Sequence, residues 1–327
     1  MQRRFVIAMA AGATLITSMP VLSQIAPRIH RIGFLSTAYA NAFTSRVEAM
    51  KGGFRDLGYL EGRNIAFEYR FADLNSERLP DLAAELVRSN VDVIITVGTP
   101  STIAAKRATA TIPIVMTTVG DAVASGVVTS LARPEANVTG VTFLLPQLSA
   151  KRIEFIKEVK PQITKVAAFF NADNKVANDP VYREMESTAR ALKVDLQRVE
   201  SRAPGEFESA FSSMARSGME AVVVSDDTLM ATNGKLIADL SLRYQMLSIG
   251  VTELADAGGA MAWGINRPEL FRRTAYFADR LLKGAKPGDL PVELPTRFEL
   301  IVNLKTAKAL GLTIPKTLLL RADRVIE

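Results

Sequence analysis

The chain has no cysteine in 327 residues, and only one histidine and one tryptophan. Without thiols there is no disulfide framework, no thiolate nucleophile and no lipid-bearing cysteine. One histidine and no cysteine leave the usual catalytic triads and zinc sites without their parts. That histidine, His30, stands beside Arg31 near the start of the folded region and reads as a frayed surface residue rather than a base. No GxGxxG follows the first apolar run and no Walker loop occurs, which removes the main signals for dinucleotide and ATP binding. No catalytic residue, metal or cofactor is assigned. After the first two dozen residues no apolar run reaches membrane-spanning length. Charge is not concentrated either. The formal +6 falls to +4 without Arg3 and Arg4, and no basic stripe suggests nucleic acid.

What is present begins with an export signal. Arg3 and Arg4 precede an uncharged apolar stretch, residues 5–17, and Val21-Leu22-Ser23 suits a cleavage site near Ser23–Gln24. Residues 1–23 are therefore read as a signal peptide and the mature chain as periplasmic. The Arg pair matches a twin-arginine signal only in part. The remaining 300 or so residues exceed one ordinary core and suit two domains.

Strand and helix patterns then alternate, as βαβ units require. Residues 92–102, DVIITVGTPST, show the unit clearly. Val93–Val97 is a continuous β-branched run, the mark of a strand buried on both faces. Gly98 permits a turn, Thr99 reads as a helix N-cap and Pro100 as the first helical residue. The pattern runs from Arg31–Leu35 to Val138–Phe143, then restarts after Leu144-Leu145-Pro146 and continues to a strand at Phe298–Asn303. Two α/β halves of four or five parallel strands each are expected, without a residue-level repeat.

Open α/β sheets bind ligands at the carboxyl ends of their strands, where helix N-termini favour anions. The loops there are Ser36-Thr37, Gly98-Thr99-Pro100 and Gly120-Asp121 in the first half, and Asn171, Asp226 and Val251-Thr252 in the second. Hydroxyls, glycines and carboxylates dominate them, with almost no basic groups. They suit a small carboxylate at a helix N-terminus and an amine near Asp121 or Asp226. Each has a plainer reading as a cap or turn residue. Trp263 ends a strand and is either a core plug or an aromatic wall for the ligand.

Several long strings resemble one family: VDVIITVGTPSTIAAKRATATIPIVM, VGDAVASGVVTSLARPEANVTGVT and PTRFELIVNLKTAKALGLTIP, together with RDLGYLEGRN and LFRRTAYFADRLLKGAKPGDLPVE. They resemble the ABC-transporter substrate-binding proteins of the periplasmic binding protein type I fold, in the branch related to aromatic amino-acid binders. The likeness spans nearly all of residues 29–327. It implies two Rossmann-like lobes with parallel sheets, joined by three hinge crossings near Leu144–Gln147, Gly264–Arg267 and Leu294–Thr296. The N-lobe is expected to hold residues 30–144 and 266–295, the C-lobe 145–265 and 296–327. It also implies a small-molecule solute, a monomeric receptor, and an inner-membrane permease driven by a cytoplasmic ATPase. By position the ligand-binding residues are Ser36, Thr37, Gly98, Thr99, Pro100, Gly120, Asp121, Asn171, Asp226, Val251, Thr252 and Trp263. Two rival readings stand beside this one: an exported hydrolase using cleft carboxylates, and a sensor partner that presents its ligand to a membrane receptor.

Overall fold

The computed structural model describes residues 28–327 apart from 135 and 144. The signal peptide expected at 1–23 lies outside the described residues, as does Leu144 at the first crossing. In chain order the elements are β1 (His30–Ser36), α1 (Thr44–Asp56), β2 (Ile65–Phe71), α2 (Leu79–Arg88), β3 (Val93–Val97), α3 (Thr99–Ala108), β4 (Ile114–Gly120) and β5 (Val138–Phe143). Then follow α4 (Leu145–Val159), β6 (Lys165–Asn171), α5 (Lys175–Ala191), β7 (Asp195–Ser201), α6 (Phe207–Arg216), β8 (Ala221–Val224), α7 (Thr228–Thr232), α8 (Gly234–Arg243), β9 (Leu247–Gly250), α9 (Thr252–Asp256) and β10 (Met261–Ile265). The chain ends with α10 (Arg267–Leu282), β11 (Phe298–Asn303), α11 (Leu304–Ala309), α12 (Lys316–Leu319) and β12 (Arg324–Ile326).

Two sheets result, one of five strands in the order β2-β1-β3-β4-β5 and one of seven in the order β12-β11-β10-β9-β8-β6-β7. Helices cover both faces of the first sheet, which is why β3 is apolar at every position but one, the buried Thr96. Ile95 and Val97 join the cluster built with Phe54 and Phe271, whereas Ile94 joins Leu79, Leu82 and Ala104 on the other face. The second sheet does the same, with Val166 and Phe170 against Ile153 and Phe155, and Phe169 and Val222 against Phe207 and Phe211. Although it follows β10 of the second sheet, α10 packs on α1 and on β3, β4 and β5.

The structure corrects the sequence reading in several places. The second sheet has seven strands rather than four or five: β6 to β10 of its own run, β11 after the return from α10, and the short β12, which was not legible in the polar, exposed RADRVIE terminus. One of its pairs, β10 with β11, is antiparallel. The reason is topological. The chain leaves the second sheet at the end of β10, visits the first sheet's layer with α10, and re-enters beside the point of exit. Ile265 is consequently opposite Phe298, and β11 can only run back. His30 is no frayed end: it opens β1, donates its N–H to Asn64 O, and sets its ring against Tyr59. In α3 the N-cap is Gly98, at φ +80°, with Thr99 the first helical residue and Pro100 the second.

Candidate ligand-binding cleft

The carboxyl ends of the two sheets meet at a cleft. From the first sheet's layer it is lined by Thr37 after β1, Phe43 and Arg46 at the start of α1, Leu74 and Ser76 after β2, Val97 to Pro100, and Thr118 and Gly120 of β4. From the second come Leu145, Asn171, Asn174, Ala177, Arg202, residues 226–229 and Ala231, with Arg267 at the head of α10. The two edges are close: a methyl on Gly98 would meet Thr228 Oγ1 at 3.8 Å. Leu74 packs on the second sheet's core, and only about 30 Å³ of free space remains between the walls. That is room for a water or two rather than an amino acid, so the two sheet edges stand close together. A larger groove of about 480 Å³ lies along α1, α10 and residues 293–297. It lies along the crossings, beside Asn266 after β10 and Arg297 before β11, and has none of the convergent buried polar groups that mark the cleft.

Of the residues expected from sequence, the cleft collects Thr37, Gly98, Thr99, Pro100, Gly120, Asn171 and Asp226. At the head of α3 the N–H groups of Thr99 and Ser101 have no partner inside the helix, and Pro100 has none to offer. Ser101 Oγ and Thr37 Oγ1 lie 3.3 Å apart, and Thr102 Oγ1 donates to Gly98 O at 2.8 Å. The loop is thereby fixed with its amides toward the cleft, where the helix dipole adds a positive field.

The other expected residues have different roles. Ser36 is fully buried and accepts from Ala38 N–H. Asp121, at φ +57°, accepts from Ala124 N–H and organises the turn after β4 instead of facing a ligand. Val251 belongs to the second sheet's core, and Thr252 donates its hydroxyl to Glu253 outside the cleft wall. Trp263 is half-buried, stacked on the exposed Phe298 at 5.6 Å and tilted on Phe155 at 5.4 Å, so it packs over the edge of the second sheet's core and is not part of the cleft wall.

Asp226 reaches the cleft, but its charge is already matched. Arg152, with a side chain 0% exposed, lies 2.5 Å from Asp226 Oδ2, and Arg267, 5% exposed, lies 3.2 Å from Oδ1. Arg152 also donates to Trp263 O and Val224 O, tying α4 to the end of β8 and the middle of β10. Asp226 Oδ2 has no hydrogen-bond partner of good geometry, but the two guanidiniums already balance its charge. Its neighbour Asp227 differs. Its carboxylate accepts from Asn171 Nδ2 and Asn174 Nδ2, both at 2.9 Å, and from Leu229 N–H at 2.8 Å. Every partner is neutral, and among the described residues no ion pair reaches it. Burial pushes the Asp227 carboxyl above its ordinary range, against the pull of the two amides and the N–H.

Sequence reasoning missed Arg46, Arg267 and Asn174, and with them the basic character of the walls; the loop Asp226-Asp227-Thr228 reads as lining the edge, but only Asp226 is chosen from it. Arg267 carried a signal, because Asn266 caps α10 directly after a strand and Pro268 follows in the first turn. Arg46 had none, being one polar residue of an amphipathic helix. Glu253 holds the two arginines together, 2.5 Å from each. Burial works to raise its carboxyl, but Arg267 and Arg46 outweigh that and hold it at about 2.

One wall is strained. Thr118 has φ +55°, costly for a β-branched residue, where β4 bulges between Met116 and Val119. Such strain collects at ligand sites.

Two α/β layers with their strand ends facing across a cleft define a solute-binding architecture of the periplasmic type I class. The chain belongs to the ABC transporter substrate binding protein family, whose model matches residues 32–326; this is a family of solute-binding proteins rather than enzymes. It is similar to a tyrosine-binding protein of Clostridioides difficile, 28% identical over 274 residues, 81% of this chain and 77% of that one. A conserved domain protein from Vibrio cholerae has a similar structure, at TM-score 0.86 and 25% identity, covering 91% of this chain and 100% of that one. So has an ABC domain in complex with L-Trp from Streptococcus pneumonia, at TM-score 0.84 and 22% identity with the same coverage.

Proposed function

We propose that this chain is the periplasmic, monomeric receptor of an ABC importer, and that it delivers an amino-acid-like or aromatic monocarboxylate to a membrane permease. The observation that carries the reading is the pair of complementary groups in one cleft. The head of α3 offers unpaired amides to a carboxylate, with Arg46 and Arg267 adding positive field. Asp227 is a buried carboxylate with neutral partners only, and a ligand ammonium would be the missing cation. A zwitterion satisfies both ends. Phe43, Leu74, Leu145 and Leu229 supply apolar wall for the rest of the ligand. The tyrosine-binding relative and the L-Trp complex support the same substrate class. The lobe boundaries, at residues 144/145, 265/266 and 295/296, belong to this proposal.

Calorimetry with L-tyrosine, its amide and its deaminated acid tests the reading. Asp227→Asn is expected to weaken L-tyrosine about tenfold or more, the range for charge-assisted hydrogen bonds, and to leave the deaminated acid nearly unchanged. Equal losses for all three would mean that Asp227 only holds its loop. Turnover of any bound compound would overturn the receptor itself.

A further inference from the structure

Arg46 and Glu253 are 207 positions apart in sequence and approach to 2.5 Å across the cleft. Arg46 projects from α1, in the first sheet's layer, and Glu253 from α9, in the second's. Among the described residues no other ion pair joins the two layers away from the crossings. The partners at Asp226 show the contrast. Arg152 belongs to the same layer as Asp226, and Arg267 heads α10 directly at the crossing, where a rotation of the layers displaces it least. The Arg46 contact is the one between layers that lies away from a crossing.

Both halves of the pair are organised before they meet. The Arg46 guanidinium lies 4.7 Å over the Phe43 ring, and Phe43 is itself packed on Phe34 and Phe271. Glu253 is held by the Thr252 hydroxyl beside it and by Arg267 at the crossing. Joining them therefore freezes few rotamers, which removes the entropy cost that makes most surface ion pairs worthless. The pair is also sheltered, with side chains 12% and 26% exposed, so water and salt screen it weakly. Leu74, inserted into the second core from the opposite bank, adds an apolar contact made only in the closed state.

We propose that the Arg46–Glu253 pair is a clasp that keeps a measurable fraction of the ligand-free protein closed and tightens the hold on any ligand by the same factor. The affinity part rests on the cleft being the ligand site; the ligand-free part does not. Because the clasp acts on the equilibrium between lobes, it raises affinity without choosing among ligands.

The absence of cysteine makes the test clean, since dyes attach only where thiols are introduced. Single-molecule energy transfer between labels at Arg88→Cys in α2 and Glu184→Cys in α5, neither of them buried, reports the distance between layers. In the ligand-free protein the clasp predicts two populations, with the closed one reduced about tenfold or more by Arg46→Met, as close charge pairs at interfaces allow. Arg46→Met leaves Glu253 with Arg267, so no carboxylate is stranded; circular dichroism verifies that the variant is folded. Should it fail to fold, Arg46→Lys takes its place and is expected to give an intermediate closed fraction. A ligand-free protein that is wholly open, or a closed fraction unchanged by the substitution, overturns the proposal. With L-tyrosine and its amide as probes, the affinity loss should be equal for both; a loss larger for L-tyrosine would make Arg46 a contact of the ligand carboxylate instead. If neither probe binds, the substrate reading fails while the ligand-free populations still decide the clasp.

Discussion

Adjacent aspartates show how little residue type says about role. Asp226 and Asp227 both follow β8, yet one faces two guanidiniums and the other two amides and an N–H. The first is part of the scaffold. Removing Arg152 strands a carboxylate that is 1% exposed, with only Arg267 to oppose it, and frees the Trp263 and Val224 carbonyls. Arg152→Met should therefore lower unfolding free energy by about 3–5 kcal/mol, the cost of breaking a buried pair. Denaturant titration measures this. A loss below about 1 kcal/mol would show that water replaces the guanidinium, as at an exposed pair.

At the scale of the element, β4 illustrates a strand shaped for its end rather than its middle. Two residues, Thr117 and Thr118, stand opposite one on β5, and the strand bends so that Thr118 lines the cleft. Gly140 on β5 makes room for the bend. It has φ +127°, and a Cβ there would lie 2.3 Å from Met116 O. Gly140→Ala combines a backbone clash with an unfavourable φ, and should cost about 3 kcal/mol or more. Thr118→Gly should do the reverse, adding about 1 kcal/mol of stability by releasing a β-branched side chain from the left-handed region. Thermal unfolding of the two variants checks both signs. A stable Gly140→Ala protein would mean that the bulge can be drawn out of the ladder.

The whole molecule depends on how its two layers meet, and pH reports on that junction. Glu253 has a carboxyl held at about 2 against an ordinary 4.5. Its folded value is depressed, so its contribution is complete above pH about 4.5 and disappears as pH falls toward about 2. At most it amounts to roughly 3 kcal/mol, since each tenfold change in proton affinity is worth about 1.36 kcal/mol. Asp227, whose carboxyl is raised, acts in the opposite sense, since protonation relieves a buried charge. Comparison with Glu253→Gln cancels that second effect. The stability gap between the two proteins should be widest at about pH 6 and shrink as pH falls from about 4.5 to about 2. A gap independent of pH would mean that Glu253 keeps its proton through the titration.

Much of the fold was legible along the chain because burial on two faces leaves a local mark. β3 and β5 could be bounded to the residue, and α1 ended where Gly58 takes the left-handed conformation after it. The cap motifs likewise placed the turn at Gly98 on the cleft, although the capping residue was one position earlier than expected. The antiparallel β10–β11 pair, the exposed β12 and the partners of each charged group depend on where distant segments land, and no local pattern encodes that. Thr37, Gly98 and Asn171 were readable as cleft residues because strand ends in open sheets point to the ligand edge by geometry alone. Whether an aspartate there meets Arg152 or Asn174, and whether Arg46 meets Glu253, is decided only when the two layers close, because charge pairing follows distance in space and not position in the chain.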